Sequence, residues 1–267
     1  MAQITSTRNP RVVDARKLGQ RKYRQEQGRF GVEGLQLLGM ALDGAVQPDT
    51  VFYCEALFRG ETAPLLLARF EQAGADLIDV SPEVLQSLSD RDTSQGIFAT
   101  FHLPDAALDS LNLTPDALVI VLDRLRDPGN VGTILRTADA VGAAAVIALA
   151  PGVDLYDPKT VRASMGSLFN LPVIQTADPN HLFQHTASAG LKTIGADAGR
   201  GQMWTQMSWQ GGMVLVLGNE AQGLSDDLPP YITDWAALPI YGKADSLNVA
   251  VAGGVMMYAW AAANRPD

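Results

Sequence analysis

Cysteine is almost absent from this chain: Cys54 stands alone among 267 residues. That excludes an intrachain disulfide and a cysteine-based zinc site, and leaves Cys54 as a small apolar residue for a core. Histidine is nearly as scarce, with His102, His181 and His185 only. The last two have helical i, i+4 spacing but lack the intervening Glu of a zincin and a third ligand, so they read as surface residues and no metal is expected. Long apolar runs are missing as well. The longest, around Val249 to Ala263, is too short and too interrupted to span a bilayer, and Met1 is followed by polar and basic residues rather than an apolar leader; a soluble cytoplasmic protein, with no membrane partner, is the expectation. There is no nucleophile elbow, no Gly-x-Gly-x-x-Gly fingerprint and no P-loop. Neither repeats nor low-complexity tracts occur.

What is present is an ordinary globular composition, 47% hydrophobic and 18% charged, with length enough for two domains. The net charge of −9 conceals an asymmetry. Residues 1–30 hold Arg8, Arg11, Arg16, Lys17, Arg21, Lys22, Arg24 and Arg29 against Asp14 and Glu26, a local balance of +6 that leaves −15 on the remainder. A basic segment on an acidic body can grip phosphates while the body discourages non-specific binding, although a solvated basic helix has the same composition.

From Arg29 to Phe101 helical patterns ("VEGLQLLGMALDG", "APLLLARFEQAG") alternate with strand patterns ("TVFYC", "DLIDV", "GIFATF"), which predicts a compact αβ domain over residues 1–103. The stretch "HLPDAALDSLNLTPD" has two prolines and no sustained period, and residues 104–116 read as a linker. A second alternating series begins with "ALVIVLD", an apolar run suited to a strand covered on both faces. It continues through "VGTILRTADAVG", "AAVIALA", "DPKTVRASMGSLF", "LPVIQT", "PNHLFQHTASAG", "LKTIGAD", "GMVLVLGNE", "LPPYIT" and "AALPI" to a terminal helix after Ser246. The fold class of residues 117–267 is therefore α/β, a largely parallel, doubly wound sheet.

Ligands of such sheets bind beyond the carboxyl ends of strands, so the loops there deserve the closest reading. Asp127-Pro128-Gly129-Asn130 opens a helix, offers its first N–H groups to a phosphate or an amide-bearing ligand, and precedes Arg136. Gly218 and Gly223 bracket a polar trio in "LVLGNEAQGLS", which lets the backbone approach a ligand and places Glu220 at the sheet edge. In "YGKADSLN" Ser246 stands where an N-cap is expected, and Asn248 then falls inside the first turn without a capping purpose. Arg162 and Ser164 precede Gly166 on an expected helix, with a surface arginine as the simplest reading.

In order and position, these segments resemble the motifs of the SpoU/TrmH family of RNA 2′-O-ribose methyltransferases: "DPGNVGTILRTADAVG" motif one, "LVLGNEAQGLS" motif two and "LPIYGKADSLNVAVAGG" motif three. "KTVRASMGSLFNLPV" is similar to the family's intervening block, and "STRNP", "RFGVEGLQLL" and "GIFATF" look like the L30e-like substrate-binding domain that precedes the catalytic domain in many members. One departure is "LPI" where "IPM" is usual, apolar for apolar. The resemblance implies a C-terminal trefoil-knot (SPOUT) domain, a homodimer formed through it, S-adenosyl-L-methionine (AdoMet) as cofactor and RNA as partner.

Carried across residue by residue, the resemblance assigns the chemistry to Asn130, Arg136, Glu220, Ser246 and Asn248. It assigns the cofactor pocket to Gly195, Ala196, Leu217, Gly218, Asn219, Ile240 and Leu247; with an RNA partner implied, the RNA grip is expected from the basic residues Arg8, Arg21, Lys22, Arg24 and Arg162. It leaves two placements for Arg136, acting in its own subunit or reaching from the partner subunit as in the family. A guanidinium is already protonated and has no acceptor with which to act as a base, so Arg136 is expected to hold phosphate and 2′-oxygen, with Asn130 orienting Arg136 or the ribose. Glu220 is expected to hold Asn130 or the cofactor's edge, and Asn248 to fix the knot loops. The L30e-like domain favours 23S rRNA as substrate. A tRNA 2′-O-methyltransferase is the alternative within the class. A non-catalytic RNA-binding or ribosome-assembly factor is the alternative outside it, and an oxidoreductase is disfavoured by the missing dinucleotide fingerprint.

Overall fold

A computed structural model of the chain describes residues 3–44, 46–90 and 93–265. It divides into two compact units, Met1–Asp105 with Tyr156–Arg162, and Ala106–Leu155 with Ala163–Asp267.

The first unit is built on β1 (Arg29–Glu33), β2 (Pro48–Tyr53), β3 (Asp76–Asp79) and β4 (Ile97–His102), in the spatial order β1-β4-β2-β3. β4 pairs antiparallel with both neighbours, and β2 with β3 is parallel. Helices α3 (Leu35–Asp43), α4 (Thr62–Gln72) and α5 (Pro82–Leu88) follow β1, β2 and β3. The "VEG" that opens the expected first helix is divided, Val32 and Glu33 finishing β1 and Gly34 turning the chain into α3. Phe30, Phe70 and Phe101 are fully buried and form a ring cluster; Cys54 lies in a second apolar cluster with Phe52, Val80 and Val84.

The basic N-terminus forms α1 (Pro10–Lys17) and α2 (Arg21–Gln27). Asn9 caps α1 by accepting from the Arg11 N–H at 3.0 Å, and Gly28, at a φ of 63°, ends α2 in the left-handed region. Arg11, at the exposed start of α1, pairs with Asp76.

The second unit carries a seven-stranded sheet of β5 (Leu118–Asp123), β6 (Ala145–Leu149), β7 (Val173–Thr176), β8 (Lys192–Ala196), β9 (Gln202–Met203), β10 (Met213–Leu217) and β11 (Asp234–Ala237). Every pairing is parallel, in the order β7-β6-β5-β10-β8-β11-β9. β5, β6 and β10 are buried along their whole length, as strands covered on both faces must be. The order turns back at β5, whose flanks are the next strand, β6, on one side and the much later β10 on the other. The loops after β5 and β10 therefore meet at the switch point where open sheets bind ligands.

Helices α6 (Pro128–Ala140), α8 (Pro179–Ser188) and α9 (Val249–Asn264) cover this sheet. α9 packs on α6 and β10 through Met256, Met257 and the fully buried Trp260, whose indole N–H donates to the Gly211 carbonyl at 2.9 Å. Among the described residues no helix is long and apolar enough to cross a membrane.

Two expectations about connections are corrected. Part of the 104–116 stretch turns into the second unit's core: a short 3-10 turn, Leu108–Ser110, lets Leu108 and Leu111 bury there. His181 and His185 of α8 fasten this segment by hydrogen bonds to the Asp109 carboxylate, at 2.8 Å, and the Leu111 carbonyl, at 3.2 Å. The expected "DPKTVRASMGSLF" helix is broken: α7 (Pro158–Ala163) stops before Met165, at a φ of 51°, and Gly166, at 98°, and a 3-10 turn, Ser167–Phe169, follows. The break has a packing partner, because a methyl group at Gly132 of α6 would collide with Ala163 and the Ser164 backbone.

Candidate active site

A cavity of about 230 Å3 opens at the carboxyl ends of β8, β10 and β11. Its apolar wall is Leu217, Leu238, Ile240, Leu247 and Val249, with Met256 of α9 behind; Asp197 and Glu220 put two carboxylates on its lining. Of the expected pocket residues, Ala196, Leu217, Gly218, Asn219, Ile240 and Leu247 line it, as does Ser246. Gly195 does not. It lies one residue deeper in β8, where the space of its missing side chain is filled by the Trp235 ring.

The loop after β10 is a tight turn closed by reciprocal backbone hydrogen bonds between Asn219 and Gly223, at 2.9 and 2.8 Å. Gly218 has to be glycine, since a Cβ there would lie 2.5 Å from the Gly223 carbonyl carbon. The Asn219 side chain accepts from the Ala221 and Gln222 N–H groups and donates to the Arg124 carbonyl at 3.0 Å, joining this turn to the loop after β5. Deeper down, the buried Asp123 at the end of β5 accepts from the Ser225 N–H and hydroxyl, at 2.6 and 2.7 Å. These contacts leave Glu220 displayed at the tip of the turn.

Two amides and a carboxylate from distant parts of the chain meet there. The Asn130 Nδ2 donates to Glu220 Oε1 at 2.8 Å, and the Asn248 Nδ2 donates to Asn130 Oδ1 at 2.8 Å. Asn248 Oδ1 in turn accepts from the N–H groups of Ala250 and Val251. The orientation is forced, because an ionised carboxylate only accepts and backbone N–H groups only donate, so both amides must point the same way. The start of α9, the start of α6 and the turn after β10 are thereby tied in one directional chain.

Asn248 is thus the N-cap of α9, and Ser246 is an exposed loop residue two positions earlier. The expected cap was displaced because Asn serves as well as Ser at that position and here has a second amide function to use. The start of α6 is likewise closed: the Asp127 carboxylate accepts the Asn130 N–H at 2.7 Å, which removes the N–H foreseen as an anion contact. Arg136 does not meet Asn130. Six residues along α6 place it about 9 Å up the axis and about 120° around from Asn130, and its side chain is exposed. Arg126, on the loop after β5, is also exposed.

The basic residues of the first unit differ in availability. Arg8, Arg21 and Lys22 are exposed, and Lys22 lies 3.7 Å from Glu26 and over the Tyr23 ring. Arg24 is 1% exposed and donates to the Leu18 carbonyl at 2.7 Å and to Asp157 at 3.4 Å, so its charge serves the fold and cannot reach a surface phosphate. Arg162 is held by Asp90 at 3.2 Å and Glu33 at 3.7 Å. Neither distinction can be read from a charge count. Pocket residues Asp197, Ala198, Leu238, Val249 and Met256 were also missed, and the first three were accessible from the rule that ligands sit at strand ends.

The chain is similar to known proteins over nearly its whole length. Residues 117–258 match the SpoU rRNA Methylase family and residues 9–99 the MRM3-like substrate binding domain. The chain is 31% identical to the Bacillus subtilis 23S rRNA (guanosine(2553)-2′-O)-methyltransferase RlmP, over 97% of this chain and 98% of that one. It is 30% identical to the Streptomyces viridochromogenes 23S rRNA (uridine(2479)-2′-O)-methyltransferase, over 96% and 91%. The crystal structure of an AdoMet-bound rRNA methyltransferase from Sinorhizobium meliloti superimposes with a TM-score of 0.88 at 32% identity, covering 97% of each chain. With its catalytic-unit sequence, its full-length relatives and its fold in agreement, the chain belongs to the SpoU rRNA methylase family.

Proposed function

We propose that this protein is an AdoMet-dependent RNA 2′-O-ribose methyltransferase acting on 23S rRNA in the cytoplasm. The observation that carries the reading is the Asn248–Asn130–Glu220 chain at the cavity formed by the loops after β8, β10 and β11. The cavity suits the cofactor: apolar side chains offer an adenine a dry wall, and two carboxylates match a cationic sulfonium and ammonium. When bound, AdoMet would supply an electrophilic methyl group. The turns at Ala196, Leu217–Asn219 and Ile240 with Leu247 would hold it, and the path of the chain through them is proposed to be the family's trefoil knot.

The catalytic arginine is assigned in trans. Arg136 is exposed and lies about 120° around α6 from its own Asn130, while α9 leaves Val251, Val255 and Tyr258 exposed along one face beside α6. A homodimer formed through that face would cover the apolar stripe and carry Arg136 to the partner's cavity. There its guanidinium would grip the target phosphate and stabilise charge developing on the 2′-oxygen, with the proton leaving through phosphate or water, since a guanidinium offers only N–H donors and no acceptor for the proton. Most of the barrier reduction would come from holding nucleophile and methyl carbon in near-attack geometry, which can supply about 7–11 kcal/mol. The role of Asn130 is narrowed: it bridges Glu220 and Asn248 and so fixes the floor on which the ribose rests. Arg8, Arg21 and Lys22 would contact RNA phosphates.

The RNA target is tested by mapping 2′-O-methyl groups in total RNA from a strain lacking the gene. Loss of one 23S rRNA ribose methylation is expected. Loss confined to tRNA would move the protein to the alternative substrate, and an unchanged map with no AdoMet binding by calorimetry would favour an assembly factor.

A further inference from the structure

Tyr241 is 92% exposed, the most exposed large hydrophobic side chain among the described residues. It opens a run of eight exposed residues ending at Asn248, and it directly follows Ile240 on the cavity wall. Adjacent Cα atoms are about 3.8 Å apart, so the backbone that carries the ring adjoins the cavity wall. An aromatic body left in water beside a reaction site is poorly placed for folding and well placed for a flat ligand. Two exposed cations are carried by loops at the cavity: Lys243 in the loop of Tyr241, and Arg126 on the loop after β5, which Asn219 ties to the turn after β10. The apolar stripe expected to meet a second copy lies elsewhere, on α9 at Val251, Val255 and Tyr258.

We propose that Tyr241 is a stacking platform for the base of the nucleotide being methylated, with Lys243 and Arg126 taking the flanking phosphates. The inference rests on the RNA methyl-transfer reading above. A splayed base laid on an aromatic face keeps its 2′-hydroxyl turned to the cavity, and a face accepts any base, so the platform grips without selecting sequence.

The test is steady-state methylation of unmodified 23S rRNA transcript by the full-length protein and its Tyr241→Phe, Tyr241→Leu and Tyr241→Ala variants, with oligomeric size and AdoMet affinity measured in parallel. Tyr241→Phe should match the wild type. Tyr241→Leu and Tyr241→Ala should raise the KM for RNA by about five- to a hundred-fold, the range of one lost stacking contact. In both, AdoMet affinity, kcat at saturating RNA, oligomeric size and salt dependence should hold, whereas Lys243→Ala should flatten the salt dependence. A KM for Tyr241→Ala within two-fold of wild type would overturn the inference alone. So would a change of oligomeric size or AdoMet affinity, which would place Tyr241 in the dimer contact or the pocket. Absence of transfer by the wild type would overturn the reading beneath it.

Discussion

Asn248 donates its side-chain amide to the Oδ1 of Asn130, 118 residues earlier, across 2.8 Å. The same Asn248 caps α9 through its oxygen, so one side chain both starts a helix and positions the loop it faces. Asn248→Ala removes both. Loss of the cap alone should lower stability by about 1 kcal/mol, measured by urea unfolding. Asn248→Ser keeps a capping oxygen but cannot reach Asn130 with an amide, so it should keep most of that stability and still weaken methyl transfer.

Asn130→Asp tests the direction of the chain. A carboxylate at that position would set two acceptors against each other at the 2.8 Å now bridged to Glu220, a like-charge pair that raises the pKa of one member. AdoMet affinity should fall at pH 8 and recover in part as the pH drops towards 5 and the pair takes up a proton. Calorimetry at the two values reads this, and a pH-independent affinity equal to wild type would contradict it.

Gly253 of α9 faces Leu217 at the end of β10, where an added Cβ would lie 2.7 Å from a leucine methyl. Gly253→Ala must therefore push Leu217 into the cavity it lines. Reduced AdoMet affinity is expected, whereas Gly254→Ala, whose nearest neighbour is 4.0 Å away, should bind normally.

Asp49 supplies a pH signature for the first unit. Burial raises its pKa, but hydrogen bonds from Arg29, Thr100 and Thr50 and the charge of Arg29 outweigh burial and hold the carboxyl below its usual 3.8. A depressed folded pKa stabilises the fold above the unfolded value and loses that contribution as pH falls towards the folded one. The melting temperature of the wild type should therefore drop more between pH 5 and pH 3 than that of Asp49→Asn.

Much of this could be read from sequence because the second unit obeys local rules. β5, β6 and β10 are continuous apolar runs that could be little else than buried parallel strands, and the cavity lies beyond the carboxyl ends of strands of the same sheet, β8, β10 and β11. The failures are instructive in physical terms. Arg24 lay in a basic run and was counted as surface, yet the fold folds its aliphatic stem inside and pairs its head with Asp157. Ser246 and Asn248 are both good caps, and only the contact with Asn130 decides between them. The strand order, with β10 inserted beside β5, follows from long-range pairing that periodicity does not encode.

In the proposed mechanism Asn130, Glu220 and Asn248 of one subunit act on the 2′-oxygen with Arg136 of the other. Subunit mixing tests it most directly, with transfer of labelled methyl groups from AdoMet to 23S rRNA transcript and identification of the product nucleoside. Arg136→Ala and Asn248→Ala proteins should each be nearly inactive. A mixed dimer would hold one site with both lesions and one intact site, so co-refolding should restore formation of 2′-O-methylnucleoside. Mixtures as inactive as their parents, or a methyl group found on a base, would contradict the account.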